Sequence, residues 1–146
     1  MSSRFLDERT YDSGEIVFVE GDQSKEMFIV QEGKVVVTKQ VAGNEVFLAT
    51  LDRGEFFGEM ALLESLPRSA TCRALGPTRL LAIRSGELLM KIRRDPTFAF
   101  EMLQHMSRRI RRLDEEMATA LESEKLSREE ASRLRMAFES PGKDQG

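Results

Sequence analysis

The chain has 146 residues, 40% of them hydrophobic, and a formal net charge of −3, which suits one domain with some additional length. No run approaches the ~18 consecutive apolar residues of a membrane-spanning helix, and Met1-Ser2-Ser3-Arg4-Phe5 lacks the apolar stretch of a secretory signal. A single cysteine, Cys72, excludes an internal disulfide and fits a cytoplasmic setting, while the acidic balance argues against direct DNA binding.

The first two thirds are rich in β-branched and aromatic residues, punctuated by Gly21-Asp22, Glu32-Gly33, Gly43-Asn44, Arg53-Gly54 and Gly76-Pro77. This spacing predicts strands at 15–19, 27–32, 34–40, 45–51, 69–75 and 78–84, forming an antiparallel β-roll or jelly-roll barrel. A short helix at 59–64 interrupts the series, and Pro67 restricts the backbone approaching Arg68. Beyond the strands, Ser85 is the expected N-cap of a helix ending near 93 or 94. Pro96 suits the first turn of the next helix, with Asp95 as its cap. Residues 97–140 contain no Gly or Pro, so a wholly helical segment there is about 65 Å long at ~1.5 Å per residue. The fold class is therefore mainly β with C-terminal helices. The expected organisation is a roll over 1–94, a long helix over 95–140 and a disordered tail over 141–146.

The long helix carries a seam. Leu103, Met106, Ile110, Leu113, Met117 and Ala120 alternate by three and four residues, the a and d spacing of a coiled coil. Parallel pairing of two copies through 97–120 is expected. The same register then meets Glu124 and Ser127 before recovering at Ala131, Leu134 and Phe138, so the seam weakens beyond Glu122.

Residues 54–74 read Gly-Glu-Phe-Phe-Gly-Glu-Met-Ala-Leu-Leu-Glu-Ser-Leu-Pro-Arg-Ser-Ala-Thr-Cys-Arg-Ala. Gly58-Glu59 stands at a helix start, and Arg68 returns nine residues after that glutamate. Free backbone N–H groups at one end and a guanidinium at the other are suited to a small anion. A carboxylate such as Glu59 would repel that anion unless it faced something else, and a sugar hydroxyl is the natural choice. Phosphate on Arg68 and ribose on Glu59 together describe a nucleotide. An ordinary surface ion pair between the two is the competing reading.

Phe57-Gly58-Glu59-Met60-Ala61-Leu62, a five-residue loop ending at Pro67, and Arg68-Ser69-Ala70 closely resemble the phosphate-binding cassette of the cyclic nucleotide-binding domain family. The stretches from Tyr11 to Asp22 and from Met27 to Val35 resemble that family's opening hairpins, and the similarity extends over residues 5–118. It is the sensor type found in the catabolite activator and in regulatory subunits of cyclic AMP-dependent kinase. The resemblance implies a 3′,5′-cyclic nucleotide ligand, cyclic AMP or alternatively cyclic GMP, and no cofactor or metal. Arg68 would then hold the exocyclic phosphate oxygens and Glu59 the ribose 2′-hydroxyl. Backbone around Gly58, Met60, Ala61, Ser69 and Ala70 would complete the cradle, with Val37 and Leu48 against the base and Arg109 near the phosphate or Glu59. The catabolite activator places two small hydroxyl residues against adenine, where this chain has Leu113 and Asp114. Ser69, rather than threonine, leans towards cyclic AMP.

Other features have plainer explanations. Arg108-Arg109-Ile110-Arg111-Arg112 is followed by Asp114-Glu115-Glu116, which places opposite charges at i+4 from Arg111 and Arg112, as on a solvated helix face. His105 has no nucleophile to pair with, and no metal-ligand spacing or acid/base pair suggests catalysis. The expectation is a cytoplasmic, non-enzymatic sensor that signals to an unidentified protein partner by helix rearrangement, with no membrane partner. No helix-turn-helix is expected within residues 121–146. The alternatives are the sensor part of a catabolite-activator-type transcription regulator and a dimeric interaction domain that ignores nucleotide.

Overall fold

The computed structural model describes residues 7–143, with side chains described for 7–137. In chain order the elements are β1 (Asp7–Tyr11), β2 (Ile16–Phe18), β3 (Met27–Val41), β4 (Asn44–Leu51), β5 (Phe56–Phe57), α1 (Glu59–Glu64), β6 (Thr71–Ile83), α2 (Ser85–Arg94) and α3 (Pro96–Lys143). The chain divides into a unit ending at Ala99 and a second beginning at Phe100. The first holds six antiparallel strands in the order β1-β6-β3-β4, with β2 added to β6 and β5 to β3. The second is helical. The β-roll and the long C-terminal helix expected from the sequence both form. Among the described residues, no helix is long and apolar enough to cross a membrane.

The core of the first unit is Phe18, Phe28, Val30, Val35, Leu51, Phe57, Cys72, Leu80 and Ala82. Phe18, Phe28 and Phe57 form a triad with ring centroids 5.3–5.9 Å apart. Such contacts add about 0.5–1.5 kcal/mol per pair beyond burial of their area. Cys72 is a small core residue, as its setting between Ala70 and Ala74 suggested.

Two expected turns are not turns. Glu32-Gly33 lies inside β3 and Gly76-Pro77 inside β6, so four predicted strands merge into two long ones that pair along their length. The register shifts between Val30 and Glu32 and again between Glu32 and Lys34, the mark of a bulge. Gly33 makes the bulge possible. It has φ +83°, and a Cβ there would lie 2.4 Å from the Pro77 carbonyl oxygen. A glycine that looks like a local breaker here permits close approach of a strand distant in sequence. The true tight turn joins β3 to β4 through Ala42 and Gly43, both at positive φ (52° and 82°), the hairpin geometry that follows strand twist.

Strands β1 and β5 were not expected. β1, Asp-Glu-Arg-Thr-Tyr, lacks an apolar alternation, and β5 has only two residues. α1 spans the expected residues. For α2 the N-cap is Arg84 rather than Ser85, because the Arg84 carbonyl accepts from the Leu88 N–H and the Arg84 N–H donates to Glu87 Oε2. Asp95 both closes α2, donating its N–H to the Lys91 carbonyl, and opens α3, accepting from the Phe98 N–H. α3 continues through Lys143, past Pro141. Of the expected tail, residues 144–146 lie outside the described residues, as do residues 1–6.

Candidate functional site

β5 delivers the chain into Gly58, whose left-handed conformation (φ 80°) starts α1 with Glu59 in its first turn. Glu59, Ala61 and Leu62 are buried, while Met60 faces solvent. The chain returns through Pro67 to Arg68, which is only 3% exposed. The Arg68 guanidinium donates from Nη1 to the Gly58 carbonyl (3.1 Å), from Nη2 to the Glu26 carbonyl (2.7 Å) and from Nε to Ser24 Oγ (3.1 Å). It also stacks 4.0 Å from the Phe18 ring centroid. Gly58 and Arg68, the two ends of the cassette, thus meet directly. A Cβ on Gly58 would lie 2.7 Å from Arg68 Nη1 and 3.1 Å from the Glu26 carbonyl, so this position requires glycine for space as well as for φ.

Burial pushes the Arg68 guanidinium below its ordinary pKa, against the pull of Glu26, Cys72, Asp22 and Glu59. A cation held out of water in this way gains from an added anion. Its backbone is equally constrained, since the Arg68 N–H donates to the Asp22 carbonyl and the Gly21 N–H to the Arg68 carbonyl, both at 2.8 Å. Glu26 is itself held, its carboxylate paired with Arg9 of β1, which also bonds Asp7 (2.7 Å).

Just beyond Arg68, Ser69 is exposed and Ala70 buried. The Ser69 carbonyl accepts from Lys39 Nζ at 2.6 Å, and Lys39 pairs with Glu20 at 3.0 Å. Val37 of β3 is half-buried, packs on the core and stands opposite Cys72. Leu48 is 48% exposed and occupies the β4 bulge, where the register passes from Val37–Ala49 to Thr38–Phe47 and leaves it without a cross-strand partner. Arg109, Leu113 and Asp114 are on α3 in the second unit, where Arg109 Nη2 lies 3.4 Å from His105 Nε2.

Phe18, Ser24, Glu26, Glu20 and Lys39 were missed as contributors. Gly21-Asp22 was legible as a turn. That this turn grips Arg68, more than 40 residues later, depends on pairing between distant segments and leaves no local signature.

Residues 8–95, more than half of the chain, match the model of the cyclic nucleotide-binding domain. The chain belongs to the cyclic nucleotide-binding domain family. Within that family it is 38% identical over 135 residues to the cyclic AMP receptor protein of Thermus thermophilus, spanning 92% of this chain and 59% of the relative. It is 44% identical over 73 residues to the cAMP-dependent protein kinase regulatory subunit of Mycosarcoma maydis, spanning 50% of this chain and 14% of that one. The crystal structure of the Thermus thermophilus catabolite activator protein superposes with a TM-score of 0.71 at 36% identity, covering 80% of this chain and 55% of the other. The chain therefore spans less than two thirds of the length of these relatives. As a cyclic nucleotide-binding domain, it has the antiparallel sheet core and long C-terminal helix of the family. Among the described residues, no group of three or more His, Cys, Asp or Glu is placed to hold a metal ion.

Proposed function

We propose that this chain is a non-enzymatic receptor domain for a 3′,5′-cyclic nucleotide, cyclic AMP in preference to cyclic GMP. The observation that carries the reading is the meeting of Gly58 and buried Arg68 within an intact cassette that also buries Glu59. Arg68 binds the exocyclic phosphate oxygens, using the N–H that each Nη retains beyond its bonds to Gly58 and Glu26. Glu59 accepts from the ribose 2′-hydroxyl, N–H groups from Gly58 to Ala61 and of Ser69 and Ala70 complete the phosphate contacts, and Val37 and Leu48 supply apolar surface for the base. Because Arg68 is nearly inaccessible, ligand entry requires the 21–26 loop or the cassette to shift. That requirement fits signalling by a population shift between two arrangements. The proposed assembly is a homodimer through the α3 seam, acting in the cytoplasm on a protein partner. Leu113 and Asp114 are the helical unit's candidates for setting base preference, and Arg109 for reaching the phosphate or Glu59, each to be tested by substitution one at a time.

Calorimetric titration of the full chain with cyclic AMP, cyclic GMP and 5′-AMP tests the reading. Cyclic AMP is expected to bind most tightly and 5′-AMP weakest, and Arg68→Ala is expected to weaken cyclic AMP at least about 30-fold, the order of loss for removing one partner of a buried charge pair. No heat with either cyclic nucleotide up to about 1 mM would overturn it. The match of 92% of this chain to 59% of the Thermus receptor favours a second reading, the sensing part of a longer transcription regulator. An in-frame helix-turn-helix coding region downstream would decide for it.

A further inference from the structure

The exit of the cassette is tied to the rest of the roll by a polar network that no ligand contact accounts for. We propose that Lys39 and Glu20 are positioning residues that aim the Ala70 N–H at the ligand phosphate, beside a Ser69 N–H oriented by Gly21. The proposal rests on the cyclic-nucleotide reading above. Its argument starts from the peptide unit, which is planar and trans, so that its C=O and its N–H point in opposite directions. Lys39 Nζ donates to the Ser69 carbonyl at 2.6 Å, and the same rigid unit carries the Ala70 N–H on its other edge. One unit earlier, the Gly21 N–H donates to the Arg68 carbonyl at 2.8 Å, which orients the Ser69 N–H in the same manner. Two successive peptide planes are therefore held from their carbonyl side.

A lysine is a poor clamp by itself, because its flexible stem loses about 2 kcal/mol of rotamer freedom when fixed. Glu20 supplies the second point. Its Oε1 accepts from Lys39 Nζ at 3.0 Å and its Oε2 from the Gln40 N–H at 3.0 Å, so the carboxylate is locked to the strand that carries Lys39. The Glu20 N–H in turn donates to Thr71 Oγ1 at 2.9 Å, reaching the other side of the cassette exit. Lys39 and Glu20 are partly exposed, and ion pairs of that kind contribute little to folding stability. Their geometric role is therefore separable from folding.

The test compares wild type, Lys39→Met, Lys39→Arg and Glu20→Gln as full chains. It combines calorimetric titration with cyclic AMP, amide exchange at Ser69 and Ala70 without ligand, and thermal melting. Lys39→Met keeps the apolar stem and removes the donor. It is expected to weaken binding about fivefold to tenfold, the size of one ordinary hydrogen bond felt indirectly. It is also expected to speed exchange at Ala70 and to leave the melting temperature unchanged. Lys39→Arg restores most of the affinity, and Glu20→Gln falls between. Wild-type affinity and wild-type exchange in Lys39→Met would overturn the proposal, as would equal losses in Lys39→Met and Lys39→Arg accompanied by a lowered melting temperature. If the wild type itself gives no heat, the receptor reading falls and the phosphate role with it. Wild-type binding that Lys39→Met leaves unchanged overturns the positioning role alone.

Discussion

At the scale of single residues, the cassette concentrates charge where solvation is poorest. Arg68 is stacked on Phe18 and bonded to Ser24, Glu26 and Gly58, so its guanidinium is held by protein oxygens but keeps one N–H on each Nη and its positive charge in a dry setting. This combination favours an anion that offers two oxygens to the planar guanidinium, such as phosphate, over a simple counter-ion. Glu20 illustrates a milder case with a pH consequence. The Gln40 N–H, and then Lys39, hold its carboxyl below the ordinary glutamate range despite some opposing burial. A carboxyl whose pKa is depressed by folding contributes stability that is present above its unfolded pKa and lost as pH falls through its folded pKa. The small difference in melting temperature that Glu20→Gln makes is therefore expected to be largest near neutral pH. It should shrink on acidification below the ordinary carboxylate range of about pH 4. A difference that stayed constant down to about pH 3 would show that the Glu20 charge is not what matters.

At the scale of elements, β3 and β6 organise the roll, and the bulge at Gly33 lets them run together without interruption. Gly33 and Gly43 have almost the same backbone conformation, φ 83° and 82°, but different surroundings. A Cβ on Gly43 meets nothing within 4 Å, whereas on Gly33 it collides with the Pro77 carbonyl and with Thr78. Gly43→Ala is expected to cost about 1 kcal/mol, the strain of a left-handed alanine alone. Gly33→Ala should cost about 2 kcal/mol more, because the obstructing atoms are backbone on a paired strand and have little room to yield. Urea unfolding of both variants checks this, and equal losses would mean that the bulge relaxes freely.

At the scale of the whole molecule, α3 presents Leu103, Ile110, Leu113 and Met117 with exposures of 56–64%, spaced as a single apolar stripe. Side chains of this size repeated along one helix face are a costly surface for a solvated monomer. Replacing Ile110 and Met117 together with Glu places charge at two points of the expected seam. The double variant is expected to shift the protein in light scattering from twice the chain mass of 16.6 kDa to a single chain. A wild type that is already monomeric at about 100 μM would remove the proposed homodimer.

The amino-acid sequence by itself determined the family and the extent of the cassette, because Phe57 to Ala70 is a contiguous motif whose chemistry is read in order. It also determined α1, α2 and the long α3, since capping, Pro placement and helical period are local properties. The tertiary structure decided the rest. Only pairing between distant segments could show that Glu32-Gly33 and Gly76-Pro77 are facing parts of continuous strands rather than two turns. Likewise β1 is a strand because β6 offers it an edge, despite its charged composition. The grip of Ser24, Glu26 and Lys39 on the cassette belongs to the same class. Each is a polar contact across 30 to 44 residues of chain, made by side chains with no periodic pattern to betray them. Local propensity is written along the sequence, but which acceptor a buried guanidinium finds is settled only when the sheet closes around it.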